Sequence, residues 1–166
     1  MPIDDDKMSR LPDALRPVVS LWFDRLEEAH GRPALAEDIE DQLLRVVAVS
    51  EFAGNALLRD WDYWRGRLEH LSSPPDLDEL KVLTDDLGCG EASLEEAKSR
   101  LRRFRHRYML NVLWREVAGI AELDETLGSL SALADQMLSA AGRYDEARLE
   151  ERSGRFRDKG GEIVPQ

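Results

Sequence analysis

Two carboxylate pairs, Asp60-Trp61-Asp62 and Asp76-Leu77-Asp78, match D-x-D, a spacing that can hold a catalytic magnesium ion. The chemistry needs both acids on one side. Residues i and i+2 point the same way on a strand but diverge on a helix. Both pairs stand where helices begin, so their position favours capping of free backbone N–H groups. His30, His70 and His106 show no H-x-x-x-H or other metal-ligand spacing, which leaves them surface or partly buried structural roles. Cys89, set between Gly88 and Gly90, has no basic neighbour in sequence to lower its pKa. Lys159-Gly160-Gly161-Glu162 lacks the residues of a phosphate-binding P-loop, and no helix follows it. No catalytic set emerges from these residues.

One stretch stands apart. Leu101-Arg102-Arg103-Phe104-Arg105-His106-Arg107-Tyr108 is strongly basic in an acidic chain. Arg102, Arg103, Arg105 and Arg107 form a candidate docking ridge, and two readings of it stay open. It is either a solvated face neutralised by nearby glutamates such as Glu96, or a contact surface for an acidic partner or another domain. Arg103 and Arg107, four apart, lie opposite a stripe of Leu101, Phe104, Tyr108 and Val112. The docking reading therefore expects charge reversal at both to spare the melting temperature.

The elements that must position these residues follow from composition and punctuation. A chain of 166 residues is about one domain, large enough for a proper core. With 42% hydrophobic and 34% charged residues it is neither membrane-embedded nor disordered in composition. A net charge of −11 argues against nucleic acid as a partner, RNA on the arginine stretch included. No apolar run approaches bilayer length, the start has no secretory pattern, and the single cysteine suits a reducing compartment. The expectation is cytoplasmic.

Helix formers dominate, and nothing reads as a run of strands. A first helix is expected from Pro12 to about His30, kinked at Pro17, and a second from near Ala36 toward Phe52. Asp60 is placed as the N-cap of a short helix, and Ser72-Ser73-Pro74-Pro75-Asp76 as a linker. After it, Leu77, Leu80, Leu83 and Leu87 make a short amphipathic helix. Ser93 and Glu96 form a capping box that opens the longest run, about Leu94–Ala118, and Asp124 caps another to Glu150. The turn between them is short enough for antiparallel neighbours. The fold class is all-α: a helical bundle with two long antiparallel helices and shorter N-terminal helices packed across them. The expected core is Leu101, Phe104, Tyr108, Val112, Leu113, Trp114, Leu127, Leu130, Ala134, Met137 and Leu138. Residues 1–8 are set aside as a tag or disordered leader, 9–152 form the helical domain, and 153–166 lead out of it.

The long helices carry a resemblance. Arg102-Arg103-Phe104-Arg105, then Val112-Leu113-Trp114, Asp124 and Leu130-Ser131-Ala132-Leu133-Ala134-Asp135 follow one another in order. Upstream stand Val49-Ser50-Glu51-Phe52-Ala53 and Leu57-Leu58-Arg59. This series resembles the helical region of the bacterial glutamine synthetase adenylyltransferase family over about residues 40 to 165. The chain departs from the pattern at Asp60-Trp61-Asp62-Tyr63-Trp64, where the family usually has a proline.

The resemblance implies a large parent enzyme with two nucleotidyltransferase halves. One half attaches AMP to a tyrosine of glutamine synthetase with ATP and magnesium. The other removes it with phosphate, releasing ADP. This chain is similar to helices that precede the first, deadenylylating core, with Gly161-Glu162-Ile163-Val164-Pro165 as a lead-in to its first strand. It carries none of that core's catalytic, cofactor-binding or metal-binding residues. The resemblance thus implies a regulatory nucleotidyltransferase whose helical part is inert alone, with glutamine synthetase and the catalytic core as partners and no nucleic acid or membrane. The alternative is a free-standing helical module that binds a protein partner. The reading frame downstream of Gln166 separates the two: a D-x-D strand selects the enzyme, an immediate stop codon the module.

Overall fold

Helix punctuation sets the architecture. In the computed structural model, which describes residues 5–89 and 91–154, the described elements are all helical. They are α1 (Asp5–Ser9), α2 (Arg16–His30), α3 (Glu37–Val49), α4 (Glu51–Arg59), α5 (Trp61–Trp64), a 3-10 turn (Leu68–His70), α6 (Asp78–Gly88), α7 (Leu94–Val117) and α8 (Leu123–Ser153). The all-α expectation holds, and so do the two long helices. Thr126 donates to Glu116 Oε2 at 2.5 Å near their connection. In the second unit, Ala97 of α7 and Tyr144 of α8 share a buried cluster.

Local chemistry explains most of the boundaries. α2 begins at Arg16, later than expected, because Pro17 then falls in the first turn, where its missing N–H is not needed. No mid-helix kink is required. Gly31, at φ +75°, ends that helix in a conformation other residues rarely adopt. Three acids, Glu37, Asp38 and Glu40, open α3. That helix stops at Val49 instead of reaching Phe52, because Ser50 caps a new one: its hydroxyl accepts from the Ala53 amide at 3.2 Å. Ser93 caps α7 in the same way through the Glu96 amide, as the capping box predicted.

The described residues fall into two compact units. The first runs through residue 75 and takes in 106–129; the second holds 76–105 and 130 onward. The chain passes between them after Pro75, inside the proposed linker.

The first unit is centred on α2–α5. Val19, Trp22, Leu26, Leu43, Val46 and Leu57 are buried there, together with Leu110 and Trp114 from the C-terminal half of α7. Trp22 Nε1 donates to the Gly54 carbonyl at 2.8 Å. A Cβ at residue 54 would lie 3.1 Å from the same indole, so glycine in mid-helix lets α2 and α4 approach. Part of the stretch set aside as a leader also has a place here. Met8 packs on this core, and Lys7, 7% exposed, sits 2.7 Å from Glu40 and 3.2 Å from Asp41. Burial depresses the Lys7 pKa, but hydrogen bonds and attraction from both acids more than offset it, and the net direction is upward.

The second unit buries Leu87, Ala92, Ala97 and Tyr144, with Leu83 and Leu101 half-buried against them. Tyr144 donates its hydroxyl proton to the Ala92 carbonyl at 3.1 Å.

The core expected on α7 is largely present: Phe104, Tyr108, Val112 and Trp114 are buried, and Leu101 and Leu113 are half-buried. On α8 the expectation is corrected. Leu127 (53% exposed), Leu130, Ala134 and Leu138 (73% exposed) face outward; Met137 is half-buried, and Leu133, Ala140 and Tyr144 are buried instead. The apolar arc of α8 is broad, and a one-residue step turns a helix by about 100°. The packed edge of the arc is one step round from the edge that the Leu127–Leu130–Ala134–Leu138 spacing marks.

Candidate functional site

The basic stretch lies on α7, whose inner face fixes its orientation. In the second unit Phe104 is buried and Leu101 half-buried, which sends Arg102, Arg103 and Arg105 outward. All three are exposed, and none of their side chains makes a hydrogen bond or ion pair with another described residue. Neighbouring cations in the same unit are treated differently. Lys98 pairs with Glu95, Arg100 with Asp86, and Arg143 with Asp85.

Arg107 does not belong with the other three. It lies in the first unit, half-buried, with Nη2 at 2.7 Å and Nε at 2.8 Å from Asp60 Oδ2. Its guanidinium carbon stands 3.5 Å from the Tyr63 ring centroid, a cation–π contact. The arginine therefore fastens α7 to the short helix carrying Tyr63. Charge reversal at Arg103 and Arg107 together would not spare stability, contrary to the sequence expectation. Arg107→Glu is expected to cost about 1–3 kcal/mol by placing a carboxylate against Asp60 and losing the ring contact. Arg103→Glu should stay within about 0.5 kcal/mol of the unmodified chain. Urea melts of the two single variants check the contrast.

The acidic pairs are occupied structurally. Asp60 holds the N-cap position of α5 as expected, but its side chain makes no cap bond; its carboxylate takes Arg107 instead. Asp62 pairs with Arg65. Asp76 accepts from the Asp78 amide at 2.9 Å, and Asp78 is bonded to Lys81 at 2.6 Å. That bond and the ammonium's charge lower the Asp78 pKa, and the same bond and the carboxylate's charge raise that of Lys81. The histidines lie apart in role: His30 and His70 are exposed, and the His106 ring packs edge-on at 5.7 Å from Phe52. Cys89 is exposed, its thiol 3.4 Å from the Asp85 carbonyl. Among the described residues no three His, Cys, Asp or Glu side chains come together as metal ligands. Lys159-Gly160-Gly161-Glu162 and the lead-in at Gly161–Pro165 lie outside the described residues.

Sequence reasoning missed two buried charges, Lys7 in the stretch set aside as a leader and Arg115. Arg115 is only 4% exposed; it bonds Glu125 and the Ser72 carbonyl, joining the end of α7 to α8 and to the linker. No helix of the described residues is long and apolar enough to cross a membrane.

The order of motifs along this frame agrees with a known family. The sequence family described as glutamate-ammonia ligase adenylyltransferase matches residues 40–163. The chain belongs to that family. It is 33% identical over 156 residues to the bifunctional glutamine synthetase adenylyltransferase/adenylyl-removing enzyme of Thioalkalivibrio sulfidiphilus, covering 91% of this chain and 16% of that protein. It is 36% identical over 124 residues to the enzyme of the same description from Pseudomonas aeruginosa, covering 71% and 12%. The corresponding Shewanella loihica protein is 31% identical over 139 residues, covering 79% and 14%. The chain thus spans about a sixth or less of the length of these adenylyltransferase relatives. No solved structure matches it.

Proposed function

We propose that this chain is a helical, non-catalytic segment of a bifunctional enzyme that transfers AMP to and from a tyrosine of glutamine synthetase, and that it belongs to the deadenylylating half. The observation that carries this reading is the family match over residues 40–163, on a chain spanning only 12–16% of relatives that bear both activities in their names. The helices serve as a scaffold for the catalytic core, and nitrogen assimilation is the process regulated. The compartment is the cytoplasm.

The parent's chemistry uses ATP, phosphate and magnesium. The described residues of this chain do not fit that metal. Phosphoryl chemistry of this class needs converging carboxylates, and the acids of both D-x-D pairs are held by Arg107, Arg65, Lys81 and a backbone amide. No step is therefore assigned to residues of this segment. Its contribution is to bind and orient.

Purified chain mixed with adenylylated glutamine synthetase, phosphate and magnesium is expected to release no ADP above the blank. With unmodified glutamine synthetase and labelled ATP it is expected to incorporate no AMP. Measurable turnover in either assay would overturn the proposal. A reading frame that stops immediately after Gln166 would turn it toward the free-standing module.

A further inference from the structure

We infer that Arg102, Arg103 and Arg105 form a docking surface for a carboxylate-rich face of a protein. The inference rests on their placement in the second unit and holds whichever activity the chain serves. Its first ground is what the fold leaves undone. Acidic residues outnumber basic ones 34 to 23, yet these three arginines meet none of the described ones. The same unit pairs Lys98, Arg100 and Arg143 with acids on α6 and α7.

The second ground is geometry. Successive residues on a helix turn by about 100°, so Arg105, Arg102 and Arg103 fan over roughly 160° of the α7 surface, opposite Phe104. They rise only about 4.5 Å along the axis. Three planar guanidinium groups thus crowd one patch about as wide as a helix. Crowding of like charges at i, i+3 costs an isolated helix a few tenths of a kcal/mol. A surface whose only task was solubility would mix its signs.

The third ground is the chemistry of the partner. Arginine binds carboxylates through two parallel N–H···O bonds, and three forks in one patch suit two or three clustered Asp or Glu side chains. Phosphate offers the same oxygen geometry, but a nucleic acid spreads its charges along an extended strand, and only a few of them reach a patch about as wide as a helix. Glu95 and Glu96 stand on the first turn of the same helix. A short acidic patch makes contact inside such a rim; a phosphate track would run across it.

Fluorescence anisotropy with the 166-residue chain tests the inference. The probes are a fluorescein-labelled peptide of twelve glutamates and a single-stranded DNA 12-mer with the same label. At about 50 mM salt the peptide should bind, and its affinity should fall as salt rises. Arg102→Glu/Arg103→Glu/Arg105→Glu should weaken peptide binding at least tenfold. Arg25→Glu/Arg45→Glu/Arg59→Glu changes the net charge equally at exposed arginines elsewhere and should weaken it less than about threefold. Both variants should melt within a few degrees of the parent. Arg102→Lys/Arg103→Lys/Arg105→Lys, which keeps the charge and removes the forks, should fall between the parent and the reversed variant; it decides the matter if the reversed variant fails to fold. No peptide binding, equal losses in the two reversed variants, no loss with lysine, or tighter binding of DNA than of peptide would each overturn the inference.

Discussion

Trp114→Ala is expected to cost the first unit about 3–5 kcal/mol. Trp114 is fully buried, and its indole N–H donates to Gln42 Oε1 at 2.7 Å, a contact spanning 72 residues of sequence. It shares its cluster with Leu110 and with buried residues of α2, α3, α4 and α5. Removing the indole opens a cavity that helices held on several sides cannot close, and that residual volume makes large-to-small changes expensive. Gln42 is only partly buried and recovers water, so the lost hydrogen bond is the smaller part. Against a typical stability of about 5–15 kcal/mol, the loss removes at least about a fifth. All four tryptophans, Trp22, Trp61, Trp64 and Trp114, lie in this unit, so their fluorescence during urea denaturation reports it alone. Trp114→Phe keeps much of the volume and forfeits the hydrogen bond, and should cost roughly half as much. A loss below about 1 kcal/mol for the alanine variant would show that the cluster does not depend on this side chain.

Several helix ends were legible because local chemistry decides them, although the start of α2 and the end of α3 were not. Ser93 with Glu96, the acids at Glu37–Glu40, and the Gly31 stop are readable within a few residues of each boundary. Which face packs is a long-range matter. The α8 stripe has correct helical spacing, yet the neighbours select the face containing Leu133, Ala140 and Tyr144. The C-terminal half of α7 was legible through Val112, Leu113 and Trp114, which stand in the expected core. The short helices α2–α5, which supply most of that core, were not singled out.

Charges show the same division. Arg103 is exposed as its position opposite the apolar stripe predicts, and Arg102 and Arg105 are exposed beside it. Arg107 looks identical in sequence, but its partner Asp60 lies 47 residues away. Only the fold brings them together. The family, in contrast, was legible from motif order, because its helices recur as a series whatever their packing.

Arg115 is a buried charge that nothing in its sequence neighbourhood marks, and its replacement should rival that of Trp114. Arg115→Ala is expected to cost about 3–5 kcal/mol. The guanidinium reaches Glu125 Oε1 through Nε at 3.1 Å and Nη2 at 2.5 Å, and its Nη1 donates to the Ser72 carbonyl. It stands in the last turn of α7, where a positive charge faces the negative end of the helix dipole. Truncation leaves the Ser72 carbonyl without this donor, a cavity where the stem lay, and Glu125 without its counter-ion. Glu125 is over a third exposed and regains water, so Glu125→Ala alone should cost less, about 1–2 kcal/mol. The Arg115→Ala/Glu125→Ala double variant should fall short of the sum of the singles by about 1 kcal/mol or more, the coupling of two side chains in direct contact. Urea denaturation followed by tryptophan fluorescence supplies all four corners of the cycle. Additive losses, agreeing to within about 0.5 kcal/mol, would mean that Arg115 is held by the Ser72 carbonyl and by packing, with Glu125 a bystander. A buried pair is screened little by salt, so the coupling should persist at about 1 M sodium chloride, where exposed pairs such as Arg148 with Glu151 lose most of theirs.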